Sequence, residues 1–427
     1  MKQQPLFRLY RTATQIASPF ASLFLALRRQ RGKEDATRLH ERLGWASRAR
    51  EPGPLAWLHG ASVGESLALM PLVERLVERG FQVLVTTGTV SSAHMLAARL
   101  PAGAFHHYMP LDLPVCLQRF LDHWQPALVL VAESEIWPNL FFETQQRQIP
   151  LILVNARISE RSFQRWQKFP NVIGALLGRL DMCLAQSQDD ADRLHLLGAS
   201  YVQVTGNLKY DVAPLPVDGM KLASLSAQIG SRPVWVAAST HAGEEEIVAQ
   251  VHLALSQHFP LVTVVVPRHP RRGPHIAQQA KALGVSALLR SQGADIEGQS
   301  SFYIADTMGE LGLFYRLASL AFLGKSLAAH GGQNPIEPAK LGCAIVHGPF
   351  VENFADVYRQ LDAAKGALCV ETSEELIQVL ARMFNDSAHL REMSRRAGEI
   401  VGQFGGASDQ IMRSLEPFFE QILREQR

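Results

Sequence analysis

The feature that most constrains the fold is an alternation of short apolar runs with helical patterns, and it occurs twice along the 427 residues. In the first half, runs such as 81–87, 126–132 and 150–156 are separated by stretches with apolar residues three and four positions apart. This alternation predicts a parallel sheet with helices on both faces. We therefore expect a doubly wound, Rossmann-like α/β domain in the first half.

The second half repeats the pattern after an irregular stretch at 211–233, without a close sequence repeat. Strand-like runs return at 233–239 and 261–267, and from about Glu374 the pattern is helical. Two such domains in succession favour a ligand in the crevice between them, at the carboxyl ends of the strands. The predicted division is an N-terminal segment (1–33), a first domain (34–212), an interdomain linker (213–230) and a second domain that includes the C-terminal helices (231–427).

The composition fits a folded enzyme and gives no global reason to expect a nucleic-acid partner. Hydrophobic residues make up 47% of the chain, and 42 Lys and Arg against 40 Asp and Glu give a net charge of +2. The four cysteines are far apart and form no CxxC pair, so we expect buried free thiols in a reducing compartment. Because no HExxH motif or Cys/His set occurs, we expect no metal site.

The N-terminal segment carries no charge from Thr12 to Leu27, although arginines precede and follow it. This stretch is shorter than the roughly twenty residues of a membrane-spanning helix, and Pro19 interrupts it. The pattern favours a short anchor or an interfacial helix that basic residues hold against anionic lipid. The alternative is an amphipathic helix that packs on its own domain or on a second subunit.

The loop after the first strand-like run, HGASVGE at 59–65, combines small residues with a carboxylate. Glu65 is expected in the first turn of the next helix, where the positive end of the helix dipole favours its ionised form. A carboxylate at a strand end can accept a proton from a hydroxyl nucleophile. Alternatively, Glu65 only complements the helix dipole, with Ser62 as the helix cap.

Further polar side chains follow the later strands of the first half. Glu133 and Glu135 come directly after an apolar strand, where burial would be costly unless they are paired or solvated. One of them is expected to bind acceptor hydroxyls or to orient a cation; alternatively, one caps a helix and the other is solvated. Asn155, Arg157 and Lys209 end the next strands, so cations and carboxylates are expected at one rim.

The second half carries three comparable loops. Ser239, Thr240 and His241 precede a helix start whose free amides suit phosphate, although the pattern also fits a simple cap. Arg268 and His269 follow the next strand, where a guanidinium suits phosphate or carboxylate, unless the turn is merely a solvated basic one.

The third loop lies in 325–342. There Ser326 follows a strand, Gly332 permits close backbone approach, Asn334 precedes a proline at a helix start, and Glu337 is placed to accept hydrogen bonds from ribose hydroxyls. The alternative for Glu337 is simple compensation of the helix dipole. Such a cluster predicts a nucleotide or sugar-nucleotide ligand.

Eight motifs in this order resemble the Kdo transferases (3-deoxy-D-manno-octulosonic acid transferases), two-domain glycosyltransferases of the type called GT-B. The motifs are HGASVGE, AESEIWPN, NARIS, GNLKYD, ASTHAGEEE, VPRHPRR, DTMGELGLFY and FLGKSLAAHGGQNPIEPA. The resemblance implies an inverting, metal-independent transfer of Kdo from CMP-Kdo to lipid IVA, the lipid A precursor. It also implies a position on the cytoplasmic face of the bacterial inner membrane, with CMP-Kdo as a substrate and no cofactor.

The resemblance also implies roles for individual residues. Glu65 would be the general base, and Lys209 or Arg268 would accommodate the Kdo carboxylate. The expected acceptor-binding residues are Ser62, Gly64, Glu133, Glu135, Asn155 and Arg157. The expected donor-binding residues are Lys209, Ser239, Thr240, His241, Arg268, His269, Ser326, Gly332, Asn334 and Glu337.

Two other functions remain open from the residues alone. A nucleotide-sugar epimerase shares the two-domain design, and a non-catalytic protein that binds a nucleotide sugar would need the same donor loops. Neither the number of Kdo residues transferred nor the oligomeric state follows from any motif.

Overall fold

The computed structural model describes residues 5–211, 214–296, 298 and 300–425. The chain forms two compact units, one built from Met1–Val212 with Phe404–Arg427 and the other from Ala213–Gln403. Each unit contains a seven-stranded parallel sheet with helices on both faces. The prediction of two doubly wound domains is confirmed.

The sheet of the first unit has the strand order β3-β2-β1-β4-β5-β6-β7. Buried side chains on both faces form its core, as expected for a parallel sheet covered by helices. Its strands are β1 (Leu55–His59), β2 (Gln82–Thr87), β3 (Ala104–Tyr108), β4 (Leu128–Ala132), β5 (Leu151–Ala156), β6 (Met182–Ala185) and β7 (Val202–Val204).

The sheet of the second unit has the strand order β10-β11-β9-β8-β12-β13-β14, in which β11 lies between β9 and β10, whereas β2 and β3 of the first sheet are adjacent. In both sheets the first strand lies in the interior, between β2 and β4 in the first sheet and between β9 and β12 in the second. The strands are β8 (Val234–Thr240), β9 (Val262–Pro267), β10 (Ala287–Leu289), β11 (Ser301–Ile304), β12 (Leu320–Leu323), β13 (Ala344–His347) and β14 (Ala367–Cys369).

The helices connect the strands and cover the sheets. Those before residue 212 are α1 (Pro5–Ala17), α2 (Ala21–Gln30), α3 (Val63–Ala68), α4 (Met70–Glu78), α5 (Val90–Ala97), α6 (Pro114–Trp124), α7 (Pro138–Gln146), α8 (Glu160–Trp166), α9 (Pro170–Leu177) and α10 (Gln188–Leu196). Those that follow are α11 (Gly219–Ile229), α12 (Glu244–Ser256), α13 (Gly273–Ala282), α14 (Leu311–Leu317), α15 (Ile336–Lys340), α16 (Ala355–Ala363), α17 (Ser373–Asn385), α18 (Ser387–Gln403) and α19 (Ala407–Glu425).

The predicted domain boundaries need two corrections. Helix α19 belongs to the first unit, because its apolar face packs on that unit's core and its start is tied to Asp211, which accepts hydrogen bonds from the amides of Gly406 and Ser408. The predicted linker 213–230 is part of the second unit and contains α11, whose Leu225 is buried. The predicted boundary at residues 212 and 213 lies outside the described residues.

The cysteine prediction is confirmed in the main, since all four thiols are free and three are buried. Burial raises the pKa of Cys183 to about 12, which keeps that thiol protonated and unreactive. Cys369, by contrast, is exposed.

The N-terminal helices are attached to the first unit through one face. Phe7 and Leu25 are buried, and the ring of Phe7 lies 5.4 Å from that of Phe142. The Tyr10 hydroxyl donates to Oδ2 of Asp112 at 2.8 Å. For this face the structure therefore shows the second of the two predicted arrangements, a helix that packs on its own domain.

The opposite face of α1, the following turn and α2 is apolar and exposed. Within the part of the chain that the structure describes, no helix has both the length and the apolar character needed to cross a membrane. The exposed side chains, each at least half accessible, form what we call the apolar row: Leu9, Ile16, Phe20, Leu23, Phe24 and Leu27.

Candidate active site

Ligands of doubly wound sheets bind outside the carboxyl ends of the strands, where the strand order reverses. This switch point lies between β1 and β4 in the first sheet and between β8 and β12 in the second. Glu133, Asn155, Ser239 and Lys325 lie at carboxyl ends of strands and have positive φ angles of 53°, 50°, 56° and 57°. Residues other than glycine rarely adopt a positive φ angle, and those that do are concentrated at functional sites.

Glu65 lies in the first turn of α3, directly after β1, and its side chain is partly exposed. Its Oε2 accepts a hydrogen bond from the Ala61 amide at 2.8 Å, and its Oε1 accepts one from the Ser62 hydroxyl at 2.7 Å. The Ser62 oxygen in turn accepts from the Glu65 amide at 3.3 Å. The carboxylate is therefore fixed in a capping arrangement at the switch point, and it forms no ion pair among the described residues.

Glu133, at the end of β4, pairs with a cation from another part of the sheet. The ammonium of Lys209 lies 2.7 Å from its Oε1. Lys209 belongs to a short 3₁₀ helix, Leu208–Tyr210, that packs against α3. The structure therefore brings Glu65, Glu133 and Lys209 to one edge of the sheet, as predicted.

Glu135 lies beside two aromatic residues that the sequence analysis did not select. The indole nitrogen of Trp137 donates to Oε2 of Glu135 at 2.8 Å, and Nε2 of His59 lies 3.8 Å from the same oxygen. His59 is part of the HGASVGE loop, but a histidine at the end of an apolar strand gives no sequence signal for a role of its own.

The remaining predicted residues of the first unit differ in their surroundings. Asn155 is buried, and its Oδ1 accepts from the Leu208 amide at 2.9 Å, so it positions the segment that contains Lys209. Arg157 is exposed. A Cβ at Gly64 would meet no atom within 4 Å, so the chain's own packing does not require glycine there.

Basic side chains lie at the switch point of the second sheet. His241 follows β8, Arg268 and His269 follow β9, and Lys325 follows β12; the rings of His241 and His269 are 6.2 Å apart. Burial lowers the pKa of His241, Glu244 opposes this effect, and the cations of Lys325 and Arg268 reinforce it. This cluster is suited to an anionic ligand.

Glu244, at the start of α12, joins the two loops that carry this basic cluster. Its completely buried carboxylate accepts four backbone hydrogen bonds, from the amides of His241, Lys325, Ser326 and Leu327 at 2.8–3.2 Å. Three acidic residues, 244–246, begin this helix, and acidic residues at a helix start would oppose a phosphate bound there. The carboxylate of Glu244 instead has its hydrogen-bonding capacity taken up by the backbone amides of the two loops.

Three of the predicted donor-binding residues are used within the protein's own structure. Ser326 is fully buried, and its hydroxyl oxygen accepts from the Gly348 amide at 2.8 Å. The Thr240 hydroxyl donates to Glu245 at 3.2 Å, and the Gly332 amide donates to the Lys325 carbonyl at 2.7 Å. These groups shape the loops, whereas Ser239 stays partly exposed.

Glu337 and Asn334 lie together at the start of α15. Burial raises the pKa of Glu337, while the hydrogen bond from Asn334 and the charge of Arg268 oppose the shift. Oδ1 of Asn334 accepts from the Ile336 amide at 3.0 Å, so one amide of this short helix is already satisfied. The charge of Arg268 therefore acts on Glu337 at the start of α15.

Comparison with known proteins identifies the family. A family model described as 3-deoxy-D-manno-octulosonic-acid transferase matches residues 37–212. The chain is 33% identical to the 3-deoxy-D-manno-octulosonic acid transferase of Haemophilus influenzae, an alignment that covers 96% of this chain and 98% of the relative. This chain belongs to the Kdo transferase family. It is accordingly a glycosyltransferase.

Further relatives of the Kdo transferase agree with this assignment. The enzyme of the same description from Rickettsia bellii is 32% identical, over 97% of this chain and all of the relative. The fold is similar to that of the UDP-GlcNAc 2-epimerase of Neisseria meningitidis, with a TM-score of 0.58 at 14% identity, covering 86% of this chain and 100% of that one. The likeness to the epimerase shows only that this chain has a GT-B-like fold.

The sequence predicts that the protein has no metal site. Among the described residues, no group of three or more His, Cys, Asp and Glu side chains is arranged to hold a metal ion. The positive charge that the structure does place at a switch point comes from Arg268 and Lys325.

Proposed function

We propose that this Kdo transferase transfers Kdo from CMP-Kdo to a hydroxyl of lipid IVA, with inversion at the anomeric carbon and without a metal ion. The observation that carries the proposal is the partly exposed carboxylate of Glu65, fixed by two hydrogen bonds at the switch point of the first sheet. A base held in this way needs little reorganisation before it accepts a proton.

In this mechanism Glu65 accepts the proton of the attacking acceptor hydroxyl. The hydroxyl oxygen forms a bond to the anomeric carbon of Kdo while the bond from that carbon to the phosphate oxygen of CMP breaks. The phosphate of CMP leaves with the electron pair. Attack on the face opposite the leaving group inverts the configuration, and the transition state has oxocarbenium character.

The basic cluster of the second unit supports a role in donor binding. Departure of CMP adds negative charge to its phosphate, and fixed cations that meet developing charge are an effective form of catalysis. Arg268 and Lys325 are suited to this task, and Glu337 is suited to accept hydrogen bonds from the ribose. Lys209 is already paired with Glu133 at 2.7 Å, so Arg268 is the better candidate for the Kdo carboxylate.

The apolar row supports a position on a membrane surface. Six large apolar side chains are exposed on the N-terminal helices, next to Arg28, Arg29, Arg31 and Lys33. An amphipathic element of this composition binds the interface of anionic membranes without crossing them. We therefore propose that the enzyme acts on the cytoplasmic face of the bacterial inner membrane.

The test is to incubate the full chain with lipid IVA and CMP-Kdo and to measure the product by mass spectrometry. The expected result is a product heavier than lipid IVA by one or more Kdo residues, which also gives the number transferred. Glu65→Gln should lower kcat by about 10³-fold, since loss of a general base costs 10²- to 10⁴-fold. Gln retains the capping geometry, so folding should be preserved.

Two results would overturn this proposal. One is turnover of a nucleotide sugar without any acceptor, which would indicate an epimerase. The other is a Glu65→Gln enzyme with more than a tenth of the normal kcat.

The membrane proposal has its own test. Leu23→Ser with Phe24→Ser should weaken binding to vesicles that contain anionic phospholipid by about tenfold or more, because two exposed apolar anchors are lost. Activity on detergent-dispersed lipid IVA should remain within twofold. Sedimentation of the full chain with vesicles measures the binding, and equal binding of the variant and the native enzyme would contradict the proposal.

A further inference from the structure

The loop between β12 and α15 is held by a segment that the sequence analysis did not select. This bracing segment, residues 348–358, follows β13 directly and ends in the first turn of α16. The Phe350 amide donates to the Ser326 carbonyl at 3.0 Å, and the Asn353 amide donates to the Gly331 carbonyl at 2.8 Å. Backbone hydrogen bonds therefore join the bracing segment to the loop at two separate points.

Tyr358, in the first turn of α16, adds a third contact through its side chain. Its hydroxyl donates to the Gln333 carbonyl at 2.8 Å. The residue is completely buried, and its ring lies 4.4 Å from that of His347, the last residue of β13. Nε2 of His347 and Oδ1 of Asp362, also in α16, are 3.0 Å apart and form a hydrogen bond. The helix is thus fixed to the sheet, and the Tyr358 hydroxyl reaches the loop from a rigid support.

Glycines on both sides make this close packing possible. A Cβ on Gly348 would collide with the Ser326 carbonyl oxygen, and a Cβ on Gly332 would lie 2.9 Å from Cα of Val351. Gly331 and Gly332 also have positive φ angles of 128° and 71°, which glycine adopts without strain. The contact between the loop and the bracing segment therefore requires these glycines, and close approach of a ligand is not needed to explain them.

We propose that Tyr358 is a positioning residue of the donor site: its hydroxyl fixes the Gln333 carbonyl, so that Asn334 and Glu337 are held in their binding arrangement before the donor arrives. The inference rests on the proposed function for the identity of the donor, CMP-Kdo. The side chains of Gln333 and Asn334 stay partly exposed, whereas Tyr358 is buried and acts only through the loop. A loop that is ordered in advance lowers the cost of binding.

One substitution removes the contact, and a second one serves as its matched control. Tyr358→Phe deletes the hydroxyl but keeps the ring that packs on His347, so the Gln333 carbonyl alone loses its hydrogen bond. The control is Tyr303→Phe, in β11 of the same unit. Tyr303 is also buried, and its hydroxyl accepts a hydrogen bond from Arg290 at 3.1 Å. Both variants lose one hydrogen bond of a buried tyrosine, but only Tyr358→Phe loses the one to the loop.

The first measurement is isothermal titration of the full chain with CMP. Tyr358→Phe should raise the Kd for CMP about fivefold, because a hydrogen bond that stabilises the binding arrangement is lost. Tyr303→Phe should leave this Kd within twofold of the native value. In the transfer assay, Tyr358→Phe should raise the KM for CMP-Kdo by a similar factor. The KM for lipid IVA should stay unchanged, and kcat should fall less than twofold.

A second measurement depends on neither activity nor ligand. Hydrogen exchange followed by mass spectrometry should show that the native peptide covering 326–335 is protected before CMP is added. This peptide should exchange faster in Tyr358→Phe, whereas in Tyr303→Phe it should exchange as in the native protein. Unfolding temperatures report whether each variant is folded, and the measurement on the native protein needs no variant.

The outcomes distinguish this inference from the proposed function. A native protein that does not bind CMP overturns the proposed function, and with it the role given to Tyr358. A native protein that binds CMP, with the same affinity in Tyr358→Phe, overturns the inference alone. Two other results also overturn it: a native loop that is protected only after CMP is added, and equal losses of CMP affinity in Tyr358→Phe and Tyr303→Phe.

Discussion

The two sheets are both parallel and seven-stranded but differ in the charge at their switch points. The first sheet presents Glu65, Glu133 and Glu135, with Lys209 already paired to Glu133. The second sheet presents Arg268, Lys325 and two histidines. At the corresponding strand ends, Glu133 and Lys325 even share a strained backbone, with φ of 53° and 57°, and carry opposite charges. Two similar parallel sheets thus carry acidic side chains at one switch point and basic side chains at the other, and the loops make this difference.

A second contrast concerns the first acidic residue after the leading strand of each sheet. Glu65 accepts one amide and one hydroxyl of its own loop and remains partly exposed. Glu244 accepts four amides from two loops and is completely buried. Neutralisation of Glu65 is therefore expected to lower the rate of transfer, whereas neutralisation of Glu244 is expected to lower the stability of the second unit.

The largest expected effect is that of Glu244→Gln. The amide group of Gln would direct N–H donors at backbone N–H groups, and at least two of the four hydrogen bonds would be lost. We expect the free energy of unfolding of the second unit to fall by about 2–4 kcal/mol, with loss of CMP binding. Chemical denaturation followed by circular dichroism measures the first quantity, and calorimetry the second.

The matched control is Glu246→Gln, which makes the same charge change in the first turn of α12 at an exposed position. It should change the free energy of unfolding by less than about 0.5 kcal/mol. The comparison would fail if Glu65→Gln destabilised the protein as much as Glu244→Gln.

The next largest effect is expected for Arg268→Gln. Loss of a guanidinium that meets phosphate or carboxylate should weaken CMP binding about 30-fold, within a range of 10- to 100-fold. Arg271→Gln, in the same turn, and Arg157→Gln, at the first sheet, should each leave the affinity within twofold. Isothermal titration with CMP measures all three, and equal losses for Arg157 and Arg268 would break the assignment of opposite charges to the two sites.

The smallest effect is expected for Glu337→Gln. This substitution should raise the stability of the protein but weaken donor binding. Burial raises the pKa of Glu337 in the folded protein, so its ionised form costs folding free energy, and stability is lost as the pH rises above the usual pKa of a glutamate. The variant should therefore unfold at a higher temperature than the native protein at pH 8, and the difference should shrink towards pH 5.

Donor binding supplies the other half of this prediction. Glu337→Gln should raise the KM for CMP-Kdo about fivefold, since one charged acceptor of a ribose hydrogen bond is lost. Calorimetric unfolding at the two pH values and initial rates test the pair of effects. A variant that is less stable than the native enzyme at pH 8 would contradict the cost assigned to this buried carboxylate.

Much of the fold could be predicted from the sequence because the core of a parallel sheet is locally encoded. Central strands buried on both faces are continuous apolar runs, and each run that the sequence analysis identified became a strand. The two strands it missed, β3 and β10, are the edge strands of their sheets. Edge strands are short or polar, as in the AFHHY run of β3, so their periodicity is weak.

The candidate site was predicted less completely. Loop positions after strands gave Glu65, Glu133, Lys209, Arg268 and Glu337 from sequence alone. They did not show that the hydroxyls of Ser326 and Thr240 form hydrogen bonds within the protein, or that His59 lies beside Glu135. Those facts depend on which loops meet, and neighbouring loops come from strands many residues apart.

The sequence by itself determined two parallel sheets, the strand ends that carry polar groups, and membership of the Kdo transferase family. Only the tertiary structure decided that α19 packs on the first unit, that Glu244 is consumed by backbone amides, and that Glu65 is left partly open. The physical reason is that periodicity specifies the path of the backbone within each element. Whether a given carboxylate is paired or free depends on donors brought to it by distant parts of the chain.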